Sequence, residues 1–148
     1  MENVMTTTDM KLLFEERVKL TDFVEYGFSM QDLAEGKRPI PPEGARFDIY
    51  FEGDLTGDKI NGKISGIDYL TVRSDGRFFL NLQARVKTDD GANIQLVETG
   101  INNQGNLHLT MAFHTNEEKY KWLNHKQVIG LGYADFNTGE ASVKGYLI

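Results

Sequence analysis

A chain of 148 residues, 40% hydrophobic and 26% charged, is sized for one globular domain with a proper core. Its formal charge of −6, with Lys and Arg scattered rather than gathered into a basic run, argues against nucleic acid or an anionic membrane as the main partner. Cysteine is absent, which removes disulfides and thiolate chemistry, and the opening MENVMTTTDM lacks the basic region and apolar run of a signal peptide, so a reducing cytoplasmic location is expected.

Residues 1–9 are expected to be disordered. Residues 11–20 alternate, with Leu12, Phe14, Val18 and Leu20 on one side and Arg17 and Lys19 on the other, as in a half-buried strand. Residues 21–44 are expected to form an irregular insertion. Within it Ser29 and Asp32 form an approximate capping box for a short helix that Gly36 ends, and Pro39, Pro41 and Pro42 exclude a central strand. Residues 45–55 alternate most clearly, placing Phe47, Ile49, Phe51 and Leu55 against Arg46, Asp48, Tyr50, Glu52 and Asp54. A four-residue turn at Thr56-Gly57-Asp58-Lys59 leads to a strand at 60–73.

Ser74-Asp75-Gly76 and Asp89-Asp90-Gly91 each read as a three-residue hairpin loop whose glycine takes positive φ. They join strands 60–73, 77–88 and 92–101 and set Arg73 opposite Arg77 and Thr88 opposite Ala92. Asn102-Asn103-Gln104-Gly105 turns the chain into 106–114. Thr115 and Glu118 form a capping box for a short helix through Leu123, and strands near 126–134 and 141–148 are joined around Asn137-Thr138-Gly139. About eight strands joined by tight turns predict an all-β antiparallel meander barrel, with an open two-sheet sandwich as the alternative.

Counting out from the two Asp-Gly loops gives rows Ile64–Val86–Ile94 and Leu70–Leu80–Gly100 on the interior face. The row between them reads Phe47–Asp68–Leu82–Glu98–Leu109, so two carboxylates share an otherwise apolar face, with backbones roughly 9–10 Å apart. Burial among apolar groups raises a carboxyl pKa, and a second carboxylate raises one of the two further, as an acid or base working near neutral pH requires. Asp68 and Glu98 are therefore the candidate catalytic pair. Phe47, Phe51, Leu82 and Leu109 are candidate ligand contacts. Arg73 and Arg85 are candidate partners for a buried carboxylate or ligand. Gaps at Gly53, Gly62, Gly66 and Gly100 favour a partial cavity.

The opposite face carries Ile67, Tyr69, Phe79, Val97 and Ile101, too apolar for full solvation. Two explanations stand: the helix around Trp122 covers it, or copies of the chain meet through Tyr69, Phe79, Val97 and Ile101. No metal site is expected. His108 and His114 share a strand face but are roughly 20 Å apart, and His125 reads as a surface residue. No serine has a nucleophile-elbow context, and Gly130-Leu131-Gly132 lies in a strand pattern rather than opening a helix.

The run Ile67-Asp68-Tyr69-Leu70-Thr71-Val72-Arg73-Ser74-Asp75-Gly76, then Thr88-Asp89-Asp90-Gly91-Ala92 and Gly100, resembles the core of the domain of unknown function 3237 family. Tyr120-Lys121-Trp122-Leu123-Asn124 with Val128, Gly130 and Gly132 is similar to that family's C-terminal signature. Family members carry Asp-Trp at Asp68-Tyr69 and commonly Asn-Arg-Gly at Glu98-Thr99-Gly100. The resemblance implies a small antiparallel barrel, similar in architecture to allene oxide cyclase and lipocalin-like barrels, and no established activity. The expected function is binding of a small, mostly apolar or amphipathic molecule without a cofactor. The alternatives are a cofactor-independent isomerase, cyclase or lyase using Asp68 and Glu98, and a non-catalytic assembly module.

Overall fold

Eight antiparallel strands close on themselves in chain order, each hydrogen-bonded to its sequence neighbours and the last to the first. The computed structural model describes residues 10–148, so the expectation of disorder over 1–9 lies outside the described residues. The strands are β1 Lys11–Glu25, β2 Ala45–Thr56, β3 Gly62–Val72, β4 Phe78–Thr88, β5 Asn93–Asn103, β6 Asn106–His114, β7 Gln127–Asp135 and β8 Glu140–Leu147. Pairing of β1 with β8, from Lys11 opposite Leu147 to Lys19 opposite Glu140, removes both sheet edges and excludes the open sandwich. Among the described residues no helix is long and apolar enough to cross a membrane.

The two Asp-Gly loops behave as their chemistry requires. Arg73 N–H donates to the Arg77 carbonyl at 2.8 Å, Thr88 N–H to the Ala92 carbonyl at 2.9 Å, and Gly76 and Gly91 have φ of 86° and 92°. Three strands are thereby in the expected register, with Ile64 opposite Val86 and Val86 opposite Ile94. The two flanking registers differ from expectation by two residues each. Between β2 and β3 the loop is longer, because the Asn61 side chain bonds both the N–H and the carbonyl of Gly57, so Leu55 pairs with Gly62. Between β5 and β6 the loop is shorter. Asn102 and Asn103 stay in the strand, and Gln104 and Gly105, at φ 53° and 95°, make a two-residue turn of the kind that matches strand twist. A shift of two preserves which face each side chain occupies.

β1 departs further. It runs through residues 21–25, which the sequence reading assigned to an irregular insertion, by pairing Asp22–Glu25 with Phe47–Tyr50 after a register shift at Leu20/Asp22. A second shift at Leu12/Phe14 turns Leu12 outward, 56% exposed, and Leu13 inward. Helix α1, Met30–Glu35, is built as expected: Ser29 Oγ accepts from Asp32 N–H at 3.1 Å, and Gly36 ends it at φ 65°. The segment around it places Phe28, Met30 and Leu33 against Phe47, Leu70, Val72 and Phe136 and covers one end of the barrel.

The expected second helix is a 3-10 helix, Glu118–His125. The expected Thr115–Glu118 capping box does not form: the N-cap is Glu117, without a side-chain cap, and Thr115 Oγ1 instead accepts from Glu117 N–H at 3.1 Å in the turn before the helix. Buried Tyr120 and Leu123 join the core formed with Leu13, Phe14, Leu55, Ile60 and Phe113, so this helix plugs the other end of the barrel. The Tyr120 hydroxyl and Lys119 Nζ anchor it on Asp90 in the β4–β5 loop. It does not cover the apolar exterior: Tyr69, Phe79 and Ile101 remain 41%, 38% and 42% exposed. Trp122, half-buried against the core with Lys59 over its ring, should emit to the blue of free tryptophan in water; a water-like emission spectrum would show that the plug is not docked.

Candidate functional site

Three carboxyl groups enter the barrel, one each from β1, β3 and β5. Glu16 is 3% exposed, Asp68 7% and Glu98 0%. Asp68 lies opposite Leu82, and Leu82 opposite Glu98, as the loop register requires. The outer members of that row are Ile49 and Met111 rather than Phe47 and Leu109, because of the two-residue register shifts.

Glu16 is absent from the sequence-based candidates. Its signal was present: it falls between Phe14 and Val18 on the inward face of β1, where it pairs with Leu55 and Val143. A lone acid in an apolar alternation is easily taken for a flaw in the pattern. Closure of β8 onto β1 turns that position into the interior, facing Glu98 across the barrel.

The three groups are poorly satisfied. Asp68 Oδ1 accepts the Asn81 backbone N–H at 3.0 Å, where ladder pairing is interrupted between Asp68–Leu82 and Thr71–Phe79. Glu16 and Glu98 lie close enough to share a proton, and apart from one another Glu16 Oε1 and both Glu98 oxygens have no hydrogen-bond partner among the described residues. Burial pushes Asp68 up to about 7 against the lowering effect of the Asn81 N–H. Burial also pushes Glu98 up to about 7; a hydrogen bond from a protonated Glu16 opposes this and the charge of Asp68 adds to it. Glu16 is raised well above the ordinary carboxylate range, first by burial and then by the charge of Glu98.

These carboxyls border a cavity of about 110 Å³, enough for several waters or one small molecule. Of the candidate ligand contacts, Phe51, Leu82 and Leu109 line it. Phe47 does not: it is fully buried in the second cluster, edge-on to Phe28 with ring centroids 6.4 Å apart. Arg73 and Arg85 do not enter either. Arg73 lies just past the end of β3, beside Asp75 and 5.8 Å from the Phe79 ring centroid, and Arg85 sits at an outward position of β4 across from Ser65 and Gln95. Nor do glycines open the cavity. A Cβ on Gly53, Gly62, Gly66 or Gly100 would lie 1.9–2.3 Å from a backbone carbonyl oxygen of the neighbouring strand, so these positions allow close strand approach. The rim is formed by Asn102 and by Asp135, Phe136, Gly139 and Glu140 of the β7–β8 hairpin. Among the described residues no group of three His, Asp or Glu side chains could hold a metal ion.

Residues 9–146 match the model of a family described as protein of unknown function (DUF3237). A curated relative from Clostridium acetobutylicum, UPF0311 protein CA_C3321, is 28% identical over 144 residues, covering 82% of this chain and 87% of that one. A solved beta-barrel like protein from Acinetobacter baumannii superposes with a TM-score of 0.77 at 23% identity, covering 94% of both chains. A structure described as an enzyme from Penicillium herquei superposes at 0.65 with 21% identity, covering 98% of this chain and 99% of that one. These two likenesses show the shared fold.

Proposed function

We propose, for a chain that belongs to the family of proteins of unknown function DUF3237, that the barrel interior binds one small, mostly apolar molecule whose polar group meets Glu16, Asp68 and Glu98. The observation that carries this reading is the set of unpartnered carboxyl oxygens inside an apolar cavity. Burying such groups is costly, and among the described residues no Arg or Lys lines the cavity to make them a structural ion pair. Leu82→Trp, which puts an indole into the cavity beside the carboxyls, is expected to weaken binding of small aromatic probes at least tenfold while leaving the circular dichroism spectrum unchanged. Unaltered binding would place the probes outside the barrel and remove the reading.

A second reading is catalytic, and the raised pKa values of the three acids favour it. Carboxyls that titrate near neutrality can give and take protons, so Asp68 and Glu98 suit a cofactor-independent isomerase, cyclase or lyase, with Glu16 as a third proton-bearing group. Such a site should catalyse proton exchange at the carbon next to the carbonyl of a bound ketone in heavy water. Asp68→Asn is expected to slow that exchange by roughly a hundredfold or more. An equal exchange rate in wild type and variant would leave binding alone.

The exterior band has its own assignment. Phe79 pairs with Ile101, Ile101 lies across from His108, and His108 from Leu131, giving a row over four strands that is apolar except at His108, beside Tyr69 and Val97. We infer that a second copy of the chain covers it. Phe79→Glu is expected to convert an oligomer to monomers in sedimentation, and a wild-type monomer at micromolar concentration would dismiss the interface.

A further inference from the structure

We infer that the molecule held in the barrel is an organic cation, a small apolar amine whose ammonium group sits among Glu16, Asp68 and Glu98. The inference rests on the binding reading above and adds the charge of the ligand. It is carried by what surrounds the cavity, strand by strand. β1 contributes Glu16, β3 Asp68, β5 Glu98 and Asn102, while β7 and β8 contribute Ala134, Ala141 and Val143, with Asp135 and Glu140 at outward positions on the rim. The remaining strands contribute only apolar side chains: Ile49 and Phe51 from β2, Leu80 and Leu82 from β4, Leu107 and Leu109 from β6. Three carboxyls face the space, and among the described residues no Lys, Arg or His lines it.

An anionic ligand would enter with nothing to neutralise it. A ligand with only acceptor atoms would leave the fully buried Glu98 oxygens without donors whenever that group is ionised. An ammonium answers both conditions. It supplies three N–H donors, and its charge is offset by carboxylates in a water-poor site where such pairs are short and strong. The apolar lining beyond the acids calls for an organic cation, with an apolar body resting on the leucines.

A consequence follows for pH. The carboxyls must ionise to receive the ammonium, so binding releases protons and tightens as pH rises through about 7. Every charged side chain that faces the ligand is an acid, so no basic group titrates in the opposite sense. A neutral acceptor would show the reverse, since it needs the protonated acids as donors.

Titration calorimetry of the full chain with benzylamine, benzyl alcohol and benzoate, at pH 6 and pH 8, tests this. Benzylamine is expected to bind at least tenfold more tightly than benzyl alcohol at pH 8, to weaken about tenfold at pH 6, and to release protons on binding. Benzoate should give no heat. Glu98→Gln should remove most of the preference for the amine while retaining benzyl alcohol binding, and Leu82→Trp should abolish binding of both. Benzyl alcohol binding as tightly as benzylamine, or benzylamine binding that weakens with rising pH, overturns the cation and leaves the apolar-binding reading standing. No binding of any of the three by wild type overturns both.

Discussion

Glu98→Gln is expected to raise the melting temperature at pH 8 and to change it little at pH 4. In an unfolded chain Glu98 titrates at its ordinary 4.5, while in the barrel burial holds it at about 7. Below 4.5 both states are protonated and the carboxyl costs nothing extra. Between those values the unfolded chain loses its proton and the folded one keeps it, so stability falls as pH rises. Above about 7 both are ionised, and the folded state carries the whole difference, about 3 kcal/mol at 1.36 kcal/mol per pKa unit. Asp68, moved from 3.8 to about 7, carries about 4 kcal/mol in the same direction. An amide never ionises, so either variant escapes this loss and bears only the smaller cost of burying a neutral polar group. The net gain at pH 8 is on the order of 2 kcal/mol, or several degrees for a chain of this size. Wild type should therefore melt highest near pH 4–5 and lower at pH 8, with Glu98→Gln and Asp68→Asn flattening that slope. Strong destabilisation by both variants at pH 8 would mean that the carboxylates are held by donors as structural elements, and would end the active-site proposal.

That expectation depends on the carboxyls pointing inward, and much of the reason is legible in the sequence. Ser74-Asp75-Gly76 and Asp89-Asp90-Gly91 admit essentially one loop geometry each, so the register of β3, β4 and β5 can be counted, and Asp68–Leu82–Glu98 follows. The loops on either side are not so constrained. Asn61 lengthens one through its side chain, and Gln104 shortens the other by adopting positive φ without being glycine. Both errors were even, so facing survived while the row's ends moved from Phe47 and Leu109 to Ile49 and Met111. Facing also decides the arginines. Arg73 and Arg85 fall on odd positions, counted along strands whose even positions point inward, and proximity in sequence to Asp68 gave no information about side.

Glu16 and the true extent of β1 were less accessible for a different reason. The two shifts in β1 pairing, at Leu12/Phe14 and Leu20/Asp22, break alternation without a glycine or proline to mark them. Closure, which brings Glu16 across from Glu98, is a long-range event with no local signature. The same holds for the plug. A helix around Trp122 has apolar side chains to bury, but only the closed barrel determines that Tyr120 and Leu123 cover its end rather than its side.

Gly100→Ala is expected to destabilise the barrel by about 3 kcal/mol or more, well beyond the usual effect of a single added methyl. The methyl carbon would lie 1.9 Å from the His108 carbonyl oxygen and 2.9 Å from Leu109 Cα, both backbone atoms of β6. Neither can rotate away, so β5 and β6 must part along a ladder that runs from Gln95 opposite His114 to Asn103 opposite Asn106. Gly130→Ala provides the comparison. Its nearest obstacle is Met111 Cε at 2.6 Å, the free end of a flexible side chain, so repacking should limit the loss to about 1 kcal/mol. Urea melts of the two variants at pH 5, where the interior carboxyls are largely protonated, isolate this steric difference from the charge effect. Gly100 is two residues from Glu98 on the same strand face, so strain there should also move the carboxylate and disturb its coupling to Glu16 and Asp68. The signature is a Gly100→Ala protein whose stability still depends on pH, but with a smaller slope than wild type. Equal and mild losses in the two glycine variants would show that β5 and β6 can separate without penalty, and that close strand approach does not hold the acids in place.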